Sequence, residues 1–370
     1  MTTLVPLRYP RFFQGVFARQ RDVYTPLVEE ARKVLHELPV PGKLRPFYDT
    51  VVGDNPQPSF MLLPLMFLAM AEAAGGIQAA HRRFLPVMML SLEACSILDD
   101  TVDRTPMRSG RPSFPNRFGE ARTASFVSSL VATVTREAAR VEPRLLEGTA
   151  HFIVELSAFQ LWERDHIYPT RELFEPWLEN RYNQNTVGVA FGLNPALQLH
   201  GREPLPLGVM ESFGRIFQDV DDIVNIVENR WTQGENDDLL MGAVTRPLLL
   251  ALDASPSLHA DVEALWEVCR TTALASVAEV HREPVHANAL VQKRARPVRE
   301  ALIEVGVRGT AAHVLSDCRA CVESAPPEFR PVLKELTFTW VDRLRRCLGP
   351  ELLSEEQIQH ALEGLSLEAA

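Results

Sequence analysis

Two clusters of acid, each set into an apolar helical pattern, constrain this chain more than any other feature. Residues 92–112 read LEACSILDDTVDRTPMRSGRP, with Asp99, Asp100 and Asp103 at DDxxD spacing. On a helix Asp99 and Asp103 are i,i+4 neighbours on one face, with Asp100 beside them. Carboxylates this close repel unless a cation sits between them, and an oxygen-only set suits Mg²⁺. The preceding SLEACSIL is largely apolar, which predicts that the acids stand at the end of a buried helix. A second set follows 122 residues later, in FQDVDDIVNIVEN (217–229), where Asp221 and Asp222 come after Gln218 and Asp219. Ile216, Phe217, Val220, Ile223, Val224 and Val227 supply its helical apolar period. A lone DDxxD is a weak signal. Two such helices facing each other across a bundle would hold metal ions that grip a diphosphate and neutralise it as it leaves.

The motifs and their order resemble those of the isoprenyl diphosphate synthases. DDTVDRTPMRSGRPS resembles the first aspartate-rich motif of that family with its trailing Arg-Arg-Gly-x-Pro, and FQDVDDIVN resembles the second. DDLLMGAVTRPLLLAL (237–252) is similar to the family's Asp-Leu…Gly-Lys-x-Thr-x-Pro tail, and the likeness runs over about residues 25–320. It implies an all-α fold, a single-domain bundle around a deep apolar pocket, with Mg²⁺ (three ions) and a prenyl diphosphate at the mouth. It also implies a homodimer. The metal candidates are Asp99 and Asp103 with Asp221, Asp222 and Asn225 opposite; Asp99, Asp100, Asp103 and Asp221 are the catalytic candidates. Asp221, Asn225 and Asn229 fall at i, i+4 and i+8 on one helix face. That spacing resembles the Asn/Asp…Ser/Thr…Glu triad of class I terpene cyclases, with Asn229 where Glu is expected. Arg108, Asn185 and Gln218 are the diphosphate candidates.

The departures from the family carry as much information as the matches. Where the family has Gly-Gly-Lys-Arg-x-Arg-Pro, whose cations bind isopentenyl diphosphate, residues 58–64 read PSFMLLP, and Phe60, Met61 and Leu63 replace the Lys and two Arg. The family's His before the first motif is Leu92, and the second Arg of Arg-Arg-Gly is Ser109; the first survives as Arg108. An apolar wall cannot hold a diphosphate without leaving its desolvation uncompensated. Two lysines assigned to the allylic diphosphate are also gone, replaced by Asn185 and Ala243, and Arg181, Arg230 and Arg246 are the cations able to substitute.

Ionisation machinery without a second-substrate site implies that another nucleophile meets the allylic cation. The simplest is the substrate's own double bonds, which is terpene cyclisation in a dry, aromatic-lined cavity. Phe60, Phe84, Phe152, Phe159, Trp162 and Phe191 are the candidate liners, against the plainer reading of each as ordinary core. Ala94 and Cys95, one turn below Asp99, are small, which by the family's pattern implies a deeper pocket and a C20 or longer substrate. Two alternatives stay open: prenyl transfer to a non-isopentenyl acceptor such as an indole, and a silent partner subunit of a true synthase.

Acidic residues outnumber basic ones 48 to 38, for a net charge of −10, which argues against a nucleic-acid partner. The longest apolar run, residues 60–71, is too short to span a bilayer. Cys95, Cys269, Cys318, Cys321 and Cys347 fit a reducing compartment, with Cys318 and Cys321 read as buried thiols. The expectation is a cytoplasmic enzyme: an arm over 1–20, a helical domain over 21–350 and a helix or tail over 351–370. The basic RLRR of 343–346 reads either as a solvated helix end or as a cover for the diphosphate.

Overall fold

A computed structural model describes residues 18–54, 62–103, 105, 107–108, 111–228, 238–278, 288–354, 356 and 358. Among them are fourteen α-helices and one two-stranded ribbon. The helices are α1 (Ala18–Glu37), α2 (Arg45–Asp49), α3 (Leu62–Gly75), α4 (Ala79–Val102), α5 (Phe114–Phe118), α6 (Glu120–Val141) and α7 (Leu146–Asp165). They continue with α8 (Phe174–Leu199), α9 (Leu207–Glu228), α10 (Arg246–Ala254), α11 (Leu258–Ala278), α12 (Ala289–Ala301), α13 (Arg308–Glu323) and α14 (Arg330–Leu352). This is the all-α bundle that the sequence predicted. Most of the expected N-terminal arm, Phe60, Ser109, Asn229 and Arg230 lie outside the described residues.

Periodicity decides which helices sit inside. Every residue of α3 from Leu62 to Ala71 is buried, as expected of a helix apolar on all sides. Residues 84–97 of α4 are buried without a break, and Phe84 to Ile97 form the spine on which the first acids are mounted. By contrast α9 is two-faced: Val209, Phe213, Ile216, Val220, Ile223 and Val224 are buried, while Asp221 and Asn225 are only partly covered. The break between α6 and α7 falls at Glu142 and Pro143, where proline opens a short 3₁₀ turn.

Two small residues set the spacing around α8. Gly192 lies against Leu63 of α3, and Gly214 of α9 lies against Thr186. A Cβ at position 214 would stand 2.6 Å from Thr186 Oγ1 and 2.7 Å from its backbone nitrogen, so only glycine permits this approach. The contact locks α8 to α9 one turn from Gln218, beside the second acidic set. A second apolar cluster gathers α10, α11 and α12 around Trp266, with Phe174 and Trp177 of α8, and Ile226 of α9 packs against both clusters. Cys318 and Cys321 are buried free thiols, as the sequence predicted. Among the described residues no helix is long and apolar enough to cross a membrane.

Candidate active site

The first acids end α4. Asp103 caps the helix, its backbone N–H donating to Asp99 O at 2.9 Å. The chain then doubles back as β1 (Met107–Arg108) against β2 (Arg111–Pro112), with Arg108 opposite Arg111. This ribbon is too short to register as a sequence period, yet it aims Arg108 at the acids. Arg108 Nε donates to Asp100 Oδ1 at 2.6 Å and Nη2 to Asp99 Oδ2 at 2.8 Å. Gln160 of α7 donates to the other Asp99 oxygen at 3.2 Å. Asp100 is almost fully buried, and that burial pushes its carboxyl up to about 6 against the pull of Arg108.

The second acids approach through Arg181 of α8. Its Nη1 donates to Asp222 Oδ1 and its Nη2 to Asp238 Oδ1, each at 3.2 Å. Asn225 donates to Asp238 Oδ2 at 3.1 Å. Gln218 Nε2 donates to Asp222, and Asn185 Nδ2 donates to Gln218 Oε1 at 2.6 Å. Asp103 belongs to the same electrostatic neighbourhood: burial, then the charges of Asp99 and Glu163, raise its carboxyl well above the usual range, with Arg181 opposing. Loss of hydration likewise lifts Glu163 to about 7 and raises fully buried Asp222. The structure therefore brings Asp99, Asp100, Asp103, Asp222 and Asn225 into one acidic cleft with Arg108, Asn185 and Gln218.

Asp221 is placed differently. Its side chain is partly exposed and its Oδ1 stands 3.9 Å from Arg343 Nη2 of α14, the first residue of the basic RLRR. Two cleft residues, Glu163 and Asp238, went unnoticed as site residues in the sequence, while Arg181, named there as a substitute cation, sits between Asp222 and Asp238. Glu163 lies three residues after Gln160, one helical turn along α7, and that spacing was the available signal. Ala243, where the family carries Lys, borders a cavity of about 20 Å³ that Asn225, Asp238, Thr245 and Arg299 also line. Arg246 is occupied elsewhere: its Nε donates to Tyr182 Oη at 2.6 Å and stands 3.3 Å from buried Asp219.

The pocket candidates divide. Ala94 and Cys95 are buried below Asp99. Phe191 stacks on Phe152 at 4.1 Å between ring centroids and meets Phe84 edge-on at 6.4 Å. Phe84 is fifteen residues, roughly 22 Å, down α4 from Asp99. Phe159 and Trp162 are half-buried near the acidic end, and Trp162 stacks on His166 and packs against the second cluster.

Among the described residues no three His, Cys, Asp or Glu side chains form a ready metal cage, and Arg108 and Arg181 lie among the carboxylates. The donor set nonetheless suits a hard divalent cation: all its ligating atoms are oxygens. Buried Asp222 Oδ2 and Gln160 Oε1 have no hydrogen-bond partner among the described residues.

Residues 58–283 match the family described as Polyprenyl synthetase. Among curated proteins, the chain is 27% identical over 178 residues to the bifunctional type I diterpene synthase tndC of Aspergillus flavipes, covering 46% of this chain and 23% of that protein. It is 24% identical over 227 residues to chloroplastic solanesyl diphosphate synthase 1 of Arabidopsis thaliana, covering 58% of this chain and 55% of that one. The chain thus spans a quarter to about half the length of these relatives. A crystal structure of a polyprenyl synthase from Caulobacter crescentus, complexed with calcium and isoprenyl diphosphate, superposes with a TM-score of 0.66 at 18% identity, over 89% of this chain and 98% of that one. That likeness concerns the fold.

Proposed function

The chain belongs to the polyprenyl synthetase family, and from that premise we propose that it is a Mg²⁺-dependent class I terpene cyclase acting on one prenyl diphosphate of C20 or longer. The observation that carries this reading is a contrast. The acids of the cleft are retained and converge, whereas Leu63 and Leu92, at two positions where the second substrate's cationic site is expected, are buried in the apolar core. That contrast favours a site that ionises an allylic diphosphate over one that also holds isopentenyl diphosphate.

Asp99, Asp103, Asp222 and Asn225, with Glu163 and Asp238, are the residues proposed to hold the metal, and Asp221 would join them from the edge. Bound Mg²⁺ would neutralise the diphosphate as the C–O bond breaks. Arg108 supplies a fork of donors suited to phosphate oxygens. Gln218 and Asn185, bonded to each other, fix the α8–α9 side of the cleft. The rings of Phe84, Phe152 and Phe191 offer π-faces to a travelling cation and keep water out. Released pyrophosphate is the base for the closing deprotonation. We place the enzyme in the cytoplasm as a homodimer; Val154 and Leu161, exposed seven residues apart on one face of α7, support the dimer alone.

The similarity to a solanesyl diphosphate synthase favours, as the second reading, chain elongation with isopentenyl diphosphate, which is distinct from transfer to a non-isopentenyl acceptor. The first is tested by pyrophosphate release from geranylgeranyl diphosphate alone. Release that requires Mg²⁺ and stops with EDTA is the expected result; release only when isopentenyl diphosphate is added would favour the second.

A further inference from the structure

The cleft gathers six carboxylates, Asp99, Asp100, Asp103, Glu163, Asp222 and Asp238, around two guanidinium groups. The two cations are held differently. Arg108 makes bonds of 2.6 and 2.8 Å from a hairpin that closes back on α4, within the short range of charge-assisted pairs. Arg181 spreads over two carboxylates on separate segments, one bond to each, both at 3.2 Å. It forks onto neither. Its guanidinium lies over the Trp177 ring at 5.4 Å, one turn back along α8, so the aromatic face holds the cation in place while its N–H edge faces the acids.

Asp222 is fully buried, and its Oδ2 has no hydrogen-bond partner among the described residues. It accepts from Arg181 and Gln218 on one oxygen, which leaves the other with unused ligating capacity beside them. A divalent ion binding there would supply the charge that Arg181 now supplies. The guanidinium would then be surplus, in a cleft where a polyanion must sit. Position 185, one turn further along the same face of α8, offers no cation: Asn185 donates to Gln218 and to the Arg181 carbonyl.

We infer that Arg181 is an exchangeable cation. It neutralises Asp222 and Asp238 in the metal-free protein and passes to the substrate's diphosphate once divalent ions take those carboxylates. The inference rests on the reading of the cleft as a metal–diphosphate centre. It gives the cleft a charge balance in both states and makes metal binding the event that frees a diphosphate ligand. Its planar fork suits phosphate oxygens better than a lysine's point charge.

The test is calorimetry at pH 8.5 on the full chain, as wild type, Arg181→Gln and Arg181→Lys, with near-UV circular dichroism as the folding control. Mg²⁺ is titrated alone, and then inorganic diphosphate at saturating Mg²⁺. An exchanging cation competes with the metal, so Arg181→Gln should bind Mg²⁺ roughly threefold or more tighter and diphosphate roughly tenfold or more weaker. The opposite signs are the signature, since a purely structural residue would weaken both. Arg181→Lys keeps the charge and should recover part of the diphosphate affinity. If the glutamine variant does not fold, the lysine variant carries the test: diphosphate weakens while Mg²⁺ binding holds near wild type. Parallel loss of both affinities, or unchanged diphosphate binding, would overturn the inference alone. Wild-type protein that bound no diphosphate at saturating Mg²⁺ would overturn the reading beneath it.

Discussion

At the scale of single residues, the cleft is legible in sequence where its acids are periodic and obscure where they are solitary. Asp99 and Asp103 were found from an i,i+4 spacing, and Asp222 from its place in a second acidic run. Glu163 comes from WERD, at the end of an apolar helical pattern, and Asp238 from DDLL, noted in the sequence only as part of a family-like tail. Only packing brings them to Arg181. Crowding has two measurable consequences. Asp103 stands among like charges, so Asp103→Asn should lower kcat/KM at least about a hundredfold, while the metal-free melting temperature holds or rises. A fall in stability matching the loss of activity would assign Asp103 a structural role. The second consequence is pH linkage. Burial lifts Asp100 to about 6 and Glu163 to about 7, against roughly 4 in an unfolded chain. The folded metal-free protein therefore keeps protons that the unfolded chain has released. These groups stabilise it fully below about pH 4, and that contribution is lost as pH rises through 6 and 7. Mg²⁺ competes with the same protons. Its effect on melting temperature should be larger at pH 8 than at pH 5.5, and an equal effect at both would contradict this account.

At the scale of elements, the helices follow from apolar period, and their spacing does not. The continuous apolar run of α3 announces a helix buried on all sides, and the two-faced pattern of α9 a helix that packs on one side and turns its acids to the other. Nothing in the local sequence marks Gly214 as the point where α9 meets the Thr186 backbone. That is a property of the crossing, set by two residues 28 positions apart on adjacent helices. Gly214→Ala should therefore cost about 1–3 kcal/mol by forcing α8 and α9 apart. Urea unfolding would measure it, and activity should fall further than stability because Asn185 and Gln218 separate. An alanine variant as stable as wild type would show that the crossing adjusts freely. The β1–β2 ribbon makes the same point on a smaller scale. Four strand residues escape any period, yet they return Arg108 to Asp99 and Asp100.

At the scale of the whole molecule, one fold carries two chemistries that share a first step, and what separates them is the fate of the cation. Retained acids, two buried leucines at positions expected to serve a second diphosphate, and a ring cluster roughly 22 Å below the acids all favour a substrate that reacts with itself. The measurement that bears on this most directly is product analysis by gas chromatography with mass detection. Purified protein and Mg²⁺ would be given C10, C15, C20 and C25 prenyl diphosphates singly, each with and without isopentenyl diphosphate. The account predicts a cyclic hydrocarbon or alcohol from a substrate of C20 or longer supplied alone, in a yield that isopentenyl diphosphate does not raise. Longer linear prenyl diphosphates, formed only when isopentenyl diphosphate is present, would contradict it.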